Sequence, residues 1–173
     1  RPPVWTSACG ACALPLARDT ADALDLKSLG ANVRVYDSLD DALCWAKEPW
    51  TEIRLLPGVH EPLMIAHGPL GLTLTSADPL QPAVLAPQAQ SSGPLLVLVA
   101  CPAATVSNLV FHTPQSVAID NLFCEGLLVE GCAFLGAPDI LSDWADAEVR
   151  QVEEANYEGP FTKLDEWRGW QLP

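Results

Sequence analysis

Cations are scarce in this sequence. Nine Lys and Arg stand against twenty-two Asp and Glu over 173 residues, a formal net charge of −13. Such a chain has too few cations to replace the counterions of nucleic-acid phosphates, and an anionic membrane surface repels it. Nucleic acid is therefore excluded as a partner. The shortage is local as well as global: no Lys or Arg occurs between Leu55 and Val149, and no formal charge of either sign between Pro79 and Ile119. Long apolar runs are missing too. Pro82, Pro87, Pro94, Pro102 and Pro114 break the uncharged stretch, so no segment approaches the roughly 20 apolar residues of a spanning helix, and direct membrane insertion is not expected. Sixteen Pro and eleven Gly disfavour long helices and suit short strands joined by turns.

Metal-site spacing is absent in the same way. Cys9-Gly-Ala-Cys12 is a single CxxC with no second pair and no HxxxH to complete it, whereas zinc takes four ligands. His60, His67 and His112 match no ligand spacing, and His60 reads as a turn residue. No cofactor is expected.

What is present is a globular composition, 49% apolar and 18% charged. A chain of this length buries a core without disulfide staples. Cys101, Cys124 and Cys132 sit inside apolar runs, where free Cys behaves as a small hydrophobe, so reduced thiols and an intracellular setting are expected. The chain opens on Arg1, which suggests a fragment or a processed form.

Residues 1–32 show no periodicity and read as an irregular lead-in. Val33–Tyr36 reads as a strand. A helix is expected near 38–47, because Leu39, Ala42, Leu43 and Ala46 fall at i, i+3, i+4 and i+7 and Pro49 stops it. Glu52–Leu56 reads as the next strand, with Pro57-Gly58 as its turn. Leu72–Thr75 alternates with period two. Leu95–Ala100 is continuously apolar, as in a strand buried within a parallel sheet.

A repeat follows. Val106-Ser-Asn-Leu-Val-Phe111 aligns with Val129-Glu-Gly-Cys-Ala-Phe134 at an offset of 23 residues, and Cys101 and Cys124 are also 23 apart. A period in the low twenties with short strands is the signature of a solenoid with one rung per coil. Asn108 and Gly131 share a phase and are the two residue types that best tolerate positive φ. Both are expected at a bend between strands.

These residues resemble a known family. Asp37-Ser-Leu-Asp-Asp-Ala-Leu43, Ile53-Arg-Leu-Leu-Pro-Gly-Val-His60 and Gly71-Leu-Thr-Leu-Thr-Ser-Ala77 resemble the opening of a right-handed parallel β-helix of the pectin-lyase-like superfamily. The style is that of the non-catalytic repeats of F-box and spindle-adaptor proteins. The resemblance implies an all-β chain: a short, right-handed, single-stranded parallel β-helix over 33–136 with a capping helix near 38–47. An irregular or helical acidic aromatic tail over 137–173 would follow. Lyases of this superfamily use calcium-binding carboxylates and a basic residue, and the solenoid region has no Lys or Arg between Leu55 and Val149. Its hydrolases use clustered Asp, whereas Asp120, Glu125 and Glu130 fall at uneven phase and read as solvated turn carboxylates. No catalytic residue is assigned.

The tail combines nine acidic residues with Trp144, Tyr157, Phe161, Trp167 and Trp170, and Asp139–Ala155 reads as an acidic helix. Aromatic anchors among acids suit protein docking, with Glu153 and Glu154 contributing charge. The aromatics equally suit a cap over the solenoid's open end. The expected function is a non-catalytic protein-binding or scaffold module, an accessory subunit or adaptor whose partners are other protein subunits. The alternative is a carbohydrate-active or glycan-binding β-helix for a weakly charged polysaccharide.

Overall fold

The computed structural model describes residues 10–13, 33–36, 39–87, 92–113 and 116–155. It is a parallel β-solenoid of about 4 turns. The first elements are β1 (Gly10–Ala13), β2 (Val33–Tyr36) and the helix α1 (Leu39–Trp45). Three parallel sheets then run along the solenoid. Sheet 1 stacks β3 (Glu52–Leu55), β6 (Thr73–Ser76), β9 (Thr105–Ser107), β12 (Leu128–Glu130) and β14 (Glu148–Arg150). Sheet 2 stacks β4 (Gly58–His60), β7 (Ala83–Leu85), β10 (Val110–His112), β13 (Ala133–Leu135) and β15 (Glu153–Ala155). Sheet 3 holds β5 (Leu63–Ala66), β8 (Leu96–Val99) and β11 (Ile119–Leu122), extended by a parallel bridge between Ile119 and Leu141.

Stacked rows of apolar side chains fill the interior. Ile53, Leu74, Val106 and Val129 are partners in register across sheet 1, and all are buried. Leu85, Phe111 and Phe134 form the row of sheet 2. The two rings stack with centroids 5.0 Å apart and planes 8° from parallel. Leu96, Ile119 and Leu141 make a row in sheet 3, with Ile65 and Leu98 beside it. Burying each such side chain is worth about 1.5–3 kcal/mol, so the rows supply the driving force for coiling.

The 23-residue repeat is one coil, since Val106 pairs with Val129 and Phe111 with Phe134. Asn108 (φ 54°) and Gly131 (φ 63°) both occupy left-handed bends, as their shared phase predicts, and Gln151 (φ 52°) repeats the bend one coil on. A second left-handed column, His67, Ala100 and Phe123, leaves sheet 3 after each of its strands. Cys101 and Cys124 follow that column on adjacent coils, with the Cys101 backbone N–H donating to Cys124 Sγ at 3.2 Å. Both are buried free thiols, as is Cys132. Burial pushes the Cys101 thiol up and the Cys132 thiol up to about 12, so they act as apolar filling.

The helix does cover the N-terminal end. Ala42 and Ala46 are buried in the core, and Leu39 and Leu43 pack against it. The lead-in, by contrast, is not wholly irregular: β1 pairs in parallel with β2, Gly10 opposite Val33, and lies beside β3. Its small residues have no apolar period to read. The solenoid also runs past residue 136. Asp139–Ala155 is not a helix: β14 and β15 extend sheets 1 and 2 by a further rung. Val149 pairs with Val129 and packs partly against the core, while Glu148 and Arg150 point outward. An open sheet edge with unmade hydrogen bonds outweighs the weak helical preference of an acidic segment. Glu154 then takes the inward position opposite Phe134 and is exposed, which ends the sheet 2 row. Cys9, the stretch 14–32 and everything from residue 156 lie outside the described residues.

Asn121 interrupts the Ile65–Leu98 row at its third position. Its Nδ2 donates to the Asp143 carbonyl at 3.3 Å, but its buried Oδ1 has no partner. Asn121→Leu is expected to stabilise the fold by about 1 kcal/mol, because it removes an unsatisfied acceptor and continues the row. The melting temperature should rise by about 2–4 °C, and a fall would show that the amide is needed.

Candidate functional site

The three sheets present three chemically different outer faces. On sheet 1 the outward side chains line a polar groove of about 790 Å³. Arg54 Nε donates to Glu52 Oε1 at 2.5 Å at one end. Arg150 pairs with Glu130 at 3.2 Å and Glu148 at 3.6 Å at the other. Between them Ser107 donates to Thr75 at 3.0 Å. Trp50 closes one side: its ring lies 2.1 Å from where a Cβ on Gly71 would sit, so only glycine permits that packing.

On sheet 2 the outward row Val84, Val110 and Ala133, with Leu135, forms a second apolar cluster, and these residues are buried. His60 belongs to the other side of this sheet. It pairs with Leu85 in the inward row, is buried, and its Nε2–H donates to the Leu56 carbonyl at 2.8 Å. It is a core residue of β4 and not a turn residue, and burial holds its pKa below the ordinary value.

Sheet 3 is different again, with an outward side that is apolar and open. Met64 is 63% exposed, Leu122 37% and Phe123, at the following corner, 86%. Val97 and Val99, between them, are half-buried. The run Leu95–Ala100 is thus buried on one face only. The rows are Met64, Val97, Asp120 and Ala66, Val99, Leu122. The Ile119–Leu141 bridge sets Ser142 beside Asp120. Two hydrogen bonds agree with this register: Ser142 Oγ donates to Asp120 Oδ1 at 2.7 Å, and the Asn121 backbone N–H donates to Ser142 Oγ at 2.9 Å. Trp144, two residues further on, is 48% exposed. Asp120 and Asp143 give the same end an acidic rim.

Of the residues singled out in the sequence, Trp144 is exposed three residues beyond the Leu141 bridge. Glu153 and Glu154 stand on sheet 2, in register with Ala133 and Phe134. Tyr157, Phe161, Trp167 and Trp170 lie outside the described residues. The three carboxylates weighed for hydrolysis are dispersed: Asp120 on sheet 3, Glu125 at a corner, Glu130 on sheet 1. Sequence reading missed Met64, Val97, Val99, Leu122 and Phe123. The available signal was the unbroken apolar run Leu95–Ala100, in which every outward position is apolar too.

Among the described residues no cluster of His, Cys, Asp and Glu is arranged to hold a metal, and no helix is long and apolar enough to cross a membrane. Set against protein-family models, curated proteins and solved structures, the chain matches none. Its class is defined by the fold alone: an all-β parallel β-solenoid with one short helix near its N-terminal end.

Proposed function

We propose that this solenoid is a non-catalytic protein-binding or scaffold module, an accessory subunit or adaptor, that docks a partner protein on the outer face of sheet 3. The observation behind this reading is the exposure of Met64 and Leu122 on the outer face of sheet 3, with exposed Phe123 at the corner that follows. Contiguous exposed apolar surface of this kind marks interaction sites, and Trp, Phe and Met are favoured at interface cores. The pectin-lyase-like resemblance of residues 33–136, in the style of F-box and spindle-adaptor repeats, fits a module that binds without catalysis. Glu153 and Glu154, on sheet 2, form a second contact in this reading, to which the sequence adds the aromatics Tyr157, Phe161, Trp167 and Trp170 as anchors.

The double variant Leu122→Ala with Phe123→Ala tests it. Ala100 already occupies the position equivalent to Phe123 with the same left-handed φ, so the variant is expected to fold. Proteins recovered from native extract by the wild type should be lost with this variant. Glu153→Lys with Glu154→Lys should weaken recovery in a salt-dependent way. Identical recovery by wild type and the alanine variant would reject sheet 3 as the docking face.

A second reading is favoured by the sheet 1 groove. A groove lined by Trp50 at one side and by the hydroxyls of Thr75 and Ser107, with Glu52 and Glu130 as acceptors, suits a neutral glycan. Titration calorimetry with neutral oligosaccharides checks it, and binding that survives Thr75→Val with Ser107→Ala would rule out the groove.

A further inference from the structure

Resting on the sheet 3 docking reading, we propose that the partner element is a cationic amphipathic helix, with an apolar stripe laid along the solenoid axis and Lys or Arg on its flanks. Both edges of β8 are used by β5 and β11, so at the middle of the face a partner engages through side chains and not by adding a strand. Rungs recur about every 4.8 Å, close to the 5–6 Å between residues i and i+3 or i+4 on one side of a helix. The two outward rows, one through Val97 and one through Val99, are two residues apart along each strand, about 7 Å, a spacing that suits one stripe of Leu-sized side chains laid between them.

Charge decides what flanks the stripe. Asp120 stands on the face, Asp143 lies at its end, and Glu61 and Glu125 border the strands. Neither Lys nor Arg occurs between Leu55 and Val149. A basic flank meets complementary potential there, while an acidic one pays for like charge. The same arithmetic disfavours a second copy of this chain, since each copy carries −13.

The test uses the whole chain and three synthetic helical peptides of about 18 residues, five turns, that share one Leu stripe and carry Lys, Gln or Glu on the flanks. Binding is followed by fluorescence anisotropy at low and high salt. The Lys peptide should bind at least about tenfold more tightly than the Gln peptide and weaken as salt rises. The Glu peptide should not bind. Leu122→Ala with Phe123→Ala, which changes no charge, should abolish binding of the Lys peptide. Asp120→Lys should weaken it by about tenfold.

If the alanine variant binds the Lys peptide as well as the wild type, the attraction is diffuse charge and the proposal is overturned. Equal binding of Gln and Lys peptides, lost in the alanine variant, overturns the cationic partner while the docking face stands. No binding by any peptide overturns the helical partner, and recovery from extract then judges the face separately. Concentration-dependent self-association abolished by the alanine variant would make a second copy the occupant and also overturn it.

Discussion

Phe134→Ala is expected to cost about 3–5 kcal/mol of stability, the range for emptying a buried aromatic site. Phe134 is 1% exposed and Phe111 0%, and their stacked rings fill the centre of the solenoid across two coils. Removing one ring opens a cavity that the neighbours cannot close. Each belongs to a strand fixed in register on both sides, Phe111 by Leu85 and Phe134, Phe134 by Phe111 and Glu154. A loss of that size is a large share of the roughly 5–15 kcal/mol that holds a typical domain together. Urea unfolding gives the number. Phe123→Ala, on the exposed corner, is the control and should change stability by less than about 0.5 kcal/mol. A cost below about 1 kcal/mol for Phe134→Ala would mean that the stack is not a close-packed core.

The second large effect is at the corner. Gly131→Val is expected to cost about 2–3 kcal/mol, from a β-branched residue forced to positive φ and from crowding. Gly131 sits at φ 63°, and a Cβ there would lie 2.8 Å from Asn108 Oδ1 in the coil beneath. Gly131→Asn should cost less than about 1 kcal/mol, since Asn tolerates this region and the Asn108 amide is a movable end. Parallel urea curves for the two variants check the contrast. Equal costs would mean that side-chain bulk, and not backbone conformation, sets the penalty at this bend.

The same corner explains why the repeat was legible. Between Thr105 and Leu128 the coil takes 23 residues, and sheet 3 shows the same spacing between Leu96 and Ile119. Equal coil lengths put Val on Val, Asn on Gly, Phe on Phe and Cys on Cys. Elsewhere the lengths differ: 21 residues from Glu52 to Thr73, 32 from Thr73 to Thr105, 20 from Leu128 to Glu148. Loops of unequal length leave the stacking intact and erase the self-match, so the remaining coils were visible as strands but not as repeats. The last rung was hidden for a different reason. Val149 is the one apolar residue of β14, between Glu148 and Arg150, and one inward residue per strand is no pattern until the preceding rung offers it a row and a hydrogen-bonding edge.

What the sequence determined by itself was what local chemistry can carry. It set an all-β solenoid with left-handed bends at Asn108 and Gly131, a short helix with an apolar stripe, and a stretch from Leu55 to Val149 without Lys or Arg. What only the tertiary structure decided is which apolar outer face remains open. Val84, Val110 and Ala133 on sheet 2 and Val97, Val99 and Leu122 on sheet 3 are the same kinds of residue at the same outward positions, yet the first set is buried and the second is not. A strand's pattern fixes which side chains share a face. Whether that face meets solvent depends on what the rest of the chain packs against it, and no local sequence pattern encodes that.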